Sequence, residues 1–213
     1  MTFKPTRGKD KMNKEMAEKL LGLVIDVLNK YGIKYWLDYG SMLGAVREHD
    51  FVDTDFDIDI SYHATQDIWP ALNELKDMGY EFTPDYVEST IPNKDVFKNE
   101  RVKLLRKANI MLEGKHGFAK LEIVPSYYHE KNQKYYKLTG QDDFFLKGAG
   151  VPADLMGELS TVSFRGLHVS IQSNAERLLE FHYGEGWRTP DPNSISKTYR
   201  EPFETIFIGD LQY

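Results

Sequence analysis

Four aspartates occupy alternate positions in one short stretch of this chain, and the last two alternate with isoleucines. They are Asp53, Asp55, Asp57 and Asp59, with Ile58 and Ile60 interleaved. Residues two apart on a β-strand project from the same face, about 6–7 Å apart along the chain. We therefore expect a strand over residues 56–61, with Asp57 and Asp59 on one face and the isoleucines buried beneath the other.

Two carboxylates held this close repel each other unless a cation lies between them. Hard oxygen ligands suit magnesium or manganese, so we expect Asp57 and Asp59 to bind Mg²⁺ or Mn²⁺. An EF-hand is excluded, because the registers starting at Asp53 and Asp55 lack the required glycine and glutamate. The paired acids of a glycosidase lie on opposite sides of the substrate, whereas these two point the same way. An inert acidic turn would explain only Asp53 and Asp55, which precede the strand.

A small turn, Gly40-Ser41, opens a short helix that we expect over residues 41–48. It is either a plain helix start with Ser41 as the cap or a seat for a phosphate beside the metal. A P-loop is excluded, because no Gly-Lys-Ser/Thr follows. Arg47, near the end of this helix, either offsets the helix dipole or binds a phosphate.

A third carboxylate, Glu122, lies within a predicted strand over residues 119–124 that Pro125 closes. A glutamate between apolar neighbours usually faces solvent, but this strand is apolar enough to be central in a sheet. Glu122 is therefore either a solvent-facing residue or a third metal ligand. The basic run Arg101, Lys103, Arg106 and Lys107 similarly indicates either a charged strand edge or a means of neutralising substrate phosphates.

Composition narrows the class of protein. The chain has 213 residues, a formal net charge of −6 and no cysteine. Thiolate metal sites, disulfides and thiol nucleophiles are therefore excluded, and nucleic acid is not the first choice of partner. We find neither a signal peptide nor a run near the roughly 20 apolar residues that span a bilayer, so we expect a cytoplasmic protein.

Periodicity predicts an α+β fold, with a mixed β-sheet core flanked by helices, in a single domain over 1–213. The C-terminal tail 193–213 carries little pattern. The other predicted elements are a long helix over 12–31 that Gly32 ends, a short strand over 33–37, a helix over 65–78, a loop over 84–100, a strand over 102–106, hairpins around 130–133 and 165–166, and a helix from Asn174 to Tyr183.

Several of these stretches resemble the LicD family, which includes bacterial phosphocholine transferases and fukutin-type enzymes. Residues 39–47 read Tyr-Gly-Ser-Met-Leu-Gly-Ala-Val-Arg, and residues 57–60 read Asp-Ile-Asp-Ile. Residues 122–125, Glu-Ile-Val-Pro, resemble the family's Asp-Ile-Phe-Pro strand. The segment 174–192, with its Tyr-Gly and Trp-Arg-Thr-Pro, resembles the family's C-terminal motif, so the resemblance spans about residues 14–192. The chain departs from the family pattern at Thr54 and Phe56, where Trp and Asp are frequent.

The resemblance implies a nucleotidyltransferase-like fold and a transferase that moves a phospho-alcohol from a CDP-activated donor to a hydroxyl of a sugar or glycan. The transferred group would be phosphocholine or an alditol or glycerol phosphate, as in cell-surface polysaccharide biosynthesis. Asp57, Asp59 and Glu122 would be catalytic metal ligands, with Glu122 also a candidate base. Gly40 and Ser41 would place the donor phosphates, with help from Arg47. Addition of a nucleotide to a small molecule or an RNA end, or a binding module without catalysis, are the alternatives.

Overall fold

The computed structural model of the protein describes residues 11–93, 98–142, 145–191 and 203–213. The α-helices in these residues are Lys14–Lys30 (α1), Tyr39–Leu43 (α2), Trp69–Asp77 (α3) and Ala175–Tyr183 (α4). The strands are Tyr35–Leu37 (β1), Ile58–His63 (β2), Phe82–Asn93 (β3), Lys98–Gly114 (β4), Gly117–His129 (β5), Lys134–Asp142 (β6), Phe145–Pro152 (β7), Leu159–Phe164 (β8), Leu167–Gln172 (β9), Glu204–Phe207 (β10) and Leu211–Gln212 (β11).

Nine of the described strands form one curled, mixed sheet in which β5 is shared by two halves. The first half of β5 pairs in parallel with β2 and antiparallel with β4, whose outer neighbour is β3. The last residues of β5 pair with β6 and β11, and the order continues through β7 to β10. The remaining strands, β8 and β9, form a separate hairpin. The predicted α+β class with a mixed sheet and flanking helices is confirmed.

The long N-terminal helix forms as predicted. The Asn13 side chain caps α1 by accepting a hydrogen bond from the Met16 N–H at 3.0 Å, and Gly32, with φ of +68°, follows its end. One face of the helix is buried against the sheet through Leu20, Leu21, Val24 and Leu28. This apolar face, rather than intrinsic helix propensity, supplies most of its stability.

The predicted loop over 84–100 is wrong where the structure describes it, because residues 84–93 and 98–100 belong to the β3–β4 hairpin. Residues 94–97 lie outside the described residues. The two prolines that suggested a loop, Pro84 and Pro92, occur on β3, which is an edge strand: among the described strands it pairs with β4 alone. A proline lacks the N–H donor, and an edge strand tolerates that loss on its outer side.

Strand β5 also continues past Pro125, which the sequence suggested as its end. This residue lies beyond the last pair with β4, Ala108 to Ile123, and before the first pair with β6, Tyr127 to Tyr136. Pro125 therefore occupies the short stretch where β5 exchanges one antiparallel partner for the next.

Other elements follow the sequence with shifted ends. The predicted helix over 41–48 divides into α2 and a π-helical turn, Gly44–Glu48, which stops at His49 with φ of +55°. Asp38, not Ser41, caps α2: its Oδ1 accepts a hydrogen bond from the Tyr39 N–H at 2.9 Å. Helix α3 is shorter than expected and starts at Trp69, and both predicted hairpins and α4 are present.

The C-terminal tail contains structure that the sequence did not indicate. Residues 192–202 lie outside the described residues, but β10 pairs with β7 and β11 pairs with β5. Ile206, Ile208 and Leu211 are buried with Tyr136 in a second hydrophobic cluster. The described part of the tail therefore adds two strands to the sheet. None of the described helices is long and apolar enough to span a membrane.

Candidate active site

The parallel pair of β2 and β5 brings the predicted carboxylates together. Asp59 and Glu122 lie directly opposite each other in its register, and Asp57 lies immediately before β2. Ile58 and Ile60 are fully buried on the other face, as the alternation predicts. All three carboxylates line one cavity of about 280 Å³.

The walls of this first cavity come from several parts of the chain. Helix α2 and the π-helical turn contribute Gly40 and Arg47, and Asp55 lies on the loop before β2. Tyr183, at the end of α4, closes another side. The sequence treated Asp55 as an approach residue and gave Tyr183 no role, because only the folded chain brings them to the carboxylates.

Two lysines neutralise part of the carboxylate charge. Lys120 Nζ lies 3.1 Å from Asp57 Oδ2 and also forms an ion pair with Glu122 Oε1. Lys107 Nζ lies 2.8 Å from each oxygen of Glu122. Burial alone would raise the pKa of Glu122, but the two lysines lower it below its usual value. Lys120 is two residues from Glu122 on the same strand face, a signal that sequence analysis did not use.

Asp59 is neutralised less than Glu122: the charge of Lys137 favours its ionised form, but no described lysine forms an ion pair with it. Its carboxylate accepts no hydrogen bond from any residue that the structure describes. Burial, together with the nearby charges of Asp57 and Glu122, raises the pKa of Asp59 well above its usual value. Burial also raises the pKa of Asp57, even with Lys120 beside it. The carboxylate set therefore carries unbalanced negative charge at the centre of the cavity.

The two residues of the predicted phosphate turn, Gly40 and Ser41, have different positions relative to the cavity. Gly40 lines the cavity, and a Cβ added there would lie only 2.9 Å from Asp55 Cγ, so that glycine permits the close approach of the loop. Ser41 is buried and does not line the cavity, and its Oγ instead accepts a hydrogen bond from the Asp59 N–H at 2.9 Å. In this structure Ser41 fixes the strand that carries Asp59.

Arg47 lines the first cavity and is held by two bonds. Its Nη1 donates to the Trp187 carbonyl at 2.8 Å, and its Nε donates to Glu48 at 2.7 Å. The bond to Trp187 joins the π-helical turn to the segment after α4. The guanidinium group keeps further N–H groups that can bind an anion in the cavity.

A buried polar cluster lies behind the site. Asp38 Oδ2 accepts hydrogen bonds from Ser61 Oγ at 2.8 Å and from Lys137 Nζ, and His182 Nε2 lies 3.9 Å from Asp38 Oδ1. Lys137 Nζ is also 3.9 Å from the ring centre of Tyr39, which lines the cavity. The cluster holds Tyr39 in place, and its members are too far apart in the chain for the sequence to have indicated it.

The three carboxylates suit a divalent cation, although Lys107 and Lys120 form ion pairs with two of them in this structure. Carboxylate oxygens are the ligands that Mg²⁺ and Mn²⁺ prefer. In the described parts of the chain, no three His, Asp or Glu side chains are already arranged to hold a metal ion. The ammonium group of Lys120 contacts both Asp57 and Glu122 instead. The chemistry of the set fits the cation, and in this structure Lys107 and Lys120 neutralise part of its charge.

Comparison with known proteins agrees with the sequence motifs. A family model described as LicD/FKTN/FKRP, nucleotidyltransferase domain, matches residues 32–174, which include all six predicted site residues. Mouse and human ribitol 5-phosphate transferase FKRP are each 42% identical over 40 residues, 19% of this chain and 8% of theirs. The uncharacterized protein RP689 of Rickettsia prowazekii (strain Madrid E) is 27% identical over 176 residues, 73% of this chain and 61% of that protein. The chain thus spans less than two thirds of each of these relatives.

Proposed function

This chain belongs to the LicD family, a family of phospho-alcohol transferases, and from that premise we propose that it is a metal-dependent enzyme with a CDP-activated donor. It would transfer the phospho-alcohol of that donor to a hydroxyl of a sugar or glycan. The observation that carries the proposal is the set of three carboxylates on one cavity, where burial and the charges of Asp57 and Glu122 raise the pKa of Asp59. A binding module has no need to hold three acids together against their repulsion.

Asp57, Asp59 and Glu122 would hold Mg²⁺ or Mn²⁺. When bound, the cation would neutralise phosphate charge and help to activate the attacking oxygen. Such transfer depends mostly on positioning and on charge neutralisation, since the protein has little covalent chemistry to perform. The chain's cations serve the same purpose: Arg47 and Lys120 line the cavity and would bind donor phosphate oxygens beside Gly40.

In the proposed reaction the acceptor hydroxyl oxygen forms a bond to the phosphorus that carries the alcohol. The bond from that phosphorus to the bridging oxygen breaks, and CMP leaves. The hydroxyl proton passes to a carboxylate of the cavity. Glu122 is a weak acceptor for this proton, because Lys107 and Lys120 hold its pKa low.

Nucleotidyl transfer is the second candidate, and the description of the matching family model as a nucleotidyltransferase domain favours it. The two reactions differ in which half of the donor stays with the product. Phospho-alcohol transfer releases CMP, whereas nucleotidyl transfer from CTP releases pyrophosphate and leaves CMP on the acceptor. The mass of the product therefore separates them.

The experiment is mass spectrometry of products after incubation with Mg²⁺, a panel of sugars and CDP-ribitol, CDP-choline or CDP-glycerol. CDP-ribitol is the first donor to try, because the FKRP relatives are named for ribitol 5-phosphate transfer. We expect an added phospho-alcohol and free CMP, both abolished by EDTA and by Asp57→Asn. Asp77→Asn, an exposed residue at the end of α3, is the matched control. Undiminished turnover in Asp57→Asn would refute the proposal.

A role in cell-surface polysaccharide synthesis and a cytoplasmic location stay predictions from the sequence. Phosphocholine and glycerol phosphate are the alternatives to ribitol phosphate as the transferred group, and the donor panel tests all three.

A further inference from the structure

A second cavity of about 170 Å³ lies against the carboxylates and shares Tyr39, Asp59, Lys107 and Glu122 with the first. We propose that this second cavity is the acceptor subsite and that it takes a sugar bearing an anionic group, a phosphate or a carboxylate. The assignment of this cavity to the acceptor rests on the proposed transfer reaction. The binding of an anionic sugar there is a separate claim that can be tested without any donor.

The position of the second cavity suits an acceptor. In transfer of a phosphorus group, the attacking and leaving oxygens lie roughly in line on opposite sides of the phosphorus. Gly40 and Arg47 line the first cavity only, whereas Thr139 and Ala149 of β6 and β7 line the second only. A hydroxyl that enters through the second cavity therefore meets Asp59 and Glu122 from a different side than a donor in the first.

The charge of the second cavity points to an anion. The charged residues that line it and not the first cavity are both cations, Arg106 and Lys137. Arg106 uses three of its five N–H groups, two to Asp85 and one to the Thr139 carbonyl at 3.2 Å. The remaining two have no partner among the described residues. Lys137 is bonded to Asp38 and keeps further N–H groups for a ligand.

The C-terminal segment supplies an aromatic wall. Phe203 lines the second cavity and is 41% exposed, although it lies outside the part of the chain that the family model matches. The next residue, Glu204, opens β10 and accepts a hydrogen bond from Tyr136 Oη at 2.6 Å. An exposed aromatic ring that lines a cavity is suited to pack against the apolar face of a sugar ring.

These features together describe one ligand. The ring of Phe203 would contact the sugar, Arg106 and Lys137 would bind its anionic group, and the reacting hydroxyl would face Asp59. Arg106 and Lys137 already bind Asp85 and Asp38, and a neutral sugar would leave their remaining N–H groups without an anion to bind. An arginine fork is matched to the two or three oxygens of a carboxylate or phosphate, so both anions are tested.

The test is isothermal titration calorimetry of the full chain without donor, using glucose 6-phosphate, glucuronate, glucose and CMP as probes. We expect glucose 6-phosphate or glucuronate to bind at least about tenfold more tightly than glucose, as for a charged hydrogen-bonded group. Arg106→Gln should remove most of that difference, and Phe203→Ala should weaken every sugar probe several-fold. Neither should change the affinity for CMP by more than about twofold.

Matched controls exist for both variants. Arg101→Gln removes an 83% exposed arginine from the same strand, β4, and Tyr213→Ala removes an exposed aromatic from the same C-terminal segment. Neither residue lines the cavity, and neither control should alter sugar binding. Thermal unfolding of each variant checks that it is folded, and Phe203→Ala, an exposed substitution, keeps the test valid if Arg106→Gln is unstable.

The results separate this inference from the proposed function. Equal affinity for glucose and the anionic sugars, or unchanged binding in both variants, would overturn the anionic acceptor subsite even if phospho-alcohol transfer is found. Weakened CMP binding in the variants would assign the second cavity to the donor and would also overturn it. Anionic sugar binding that follows the pattern above, without any transfer from CDP donors, would leave the subsite standing and refute only the transferase.

Discussion

Asp59 of β2 and Glu122 of β5 are direct neighbours across a parallel strand pair, yet their electrostatic environments differ. Two lysines hold the pKa of Glu122 below its usual value, whereas burial and neighbouring carboxylates raise that of Asp59. Adjacent positions of one sheet thus provide a carboxylate whose ionised form is favoured and one whose ionised form is disfavoured. Because of this difference, we expect a substitution of Asp59 to change stability and activity in opposite directions.

Asp59→Asn should stabilise the fold and abolish activity. Asparagine removes a buried charge that neighbouring carboxylates repel, and we expect a gain in the free energy of unfolding of about 1 kcal/mol. Turnover of the CDP donor should fall by about a thousandfold. Urea denaturation without Mg²⁺ and CMP release measure the two effects. A variant that is less stable than the parent would show that Asp59 is not under electrostatic strain.

Lys120→Met should make the protein depend more strongly on a divalent cation. Without Lys120, Asp57 loses its ion pair and Glu122 loses one of its two ion pairs. The free energy of unfolding should therefore fall by about 1–3 kcal/mol. Mg²⁺ should restore more of it than in the parent, because the carboxylate set is more negative. Thermal unfolding with and without MgCl₂ measures this difference, with Lys103→Met on β4 as the matched control. Equal Mg²⁺ shifts in the two variants would contradict the assignment of the metal to these carboxylates.

Local sequence patterns predicted those helices and turns that are determined by residues close together in the chain. The apolar spacing of α1 and the Arg165-Gly166 turn, with φ of +52° and +83°, are encoded within a few residues. Strand β3 was missed because its two prolines are acceptable only on an edge, and being an edge depends on the whole sheet. Strand β10 was missed because its pairing with β7 joins segments far apart in the chain.

The same difference between local and long-range determinants applies to the candidate site. Alternation indicated Asp57 and Asp59, but Glu122 stayed ambiguous on local grounds and gained support only from its resemblance to a family motif. Its position opposite Asp59 is a property of strand register, which a single strand does not reveal. The cluster around Asp38 joins residues up to 144 positions apart through His182, so no local pattern could have indicated it.

Gly40→Ala should disturb the site, because Gly40 allows the loop before β2 to approach α2. The added Cβ would displace the Asp55 carboxylate, whose Oδ1 accepts a hydrogen bond from the Phe56 N–H at 3.2 Å. We expect a loss of about 1–3 kcal/mol in stability and a higher KM for the donor. Gly22→Ala is the control: its Cβ would meet only Leu167 at 3.4 Å, within a helix where alanine is favoured. If the two variants behave alike, the close approach at Gly40 is not a constraint.

His182→Gln should flatten the dependence of stability on pH. Burial lowers the pKa of His182 to about 4, outweighing the opposing charge of Asp38. The unfolded chain takes up this proton near pH 6.5, and the folded chain does so only near pH 4, so folding becomes less favourable as the pH falls between them. Between pH 7 and pH 5 the parent should lose about 2 kcal/mol that the variant keeps. Urea denaturation at both pH values measures the loss, with exposed His168→Gln on β9 as the control. Parallel losses in parent and His182→Gln would show that folding leaves the pKa of His182 unchanged, which would contradict the lowering by burial.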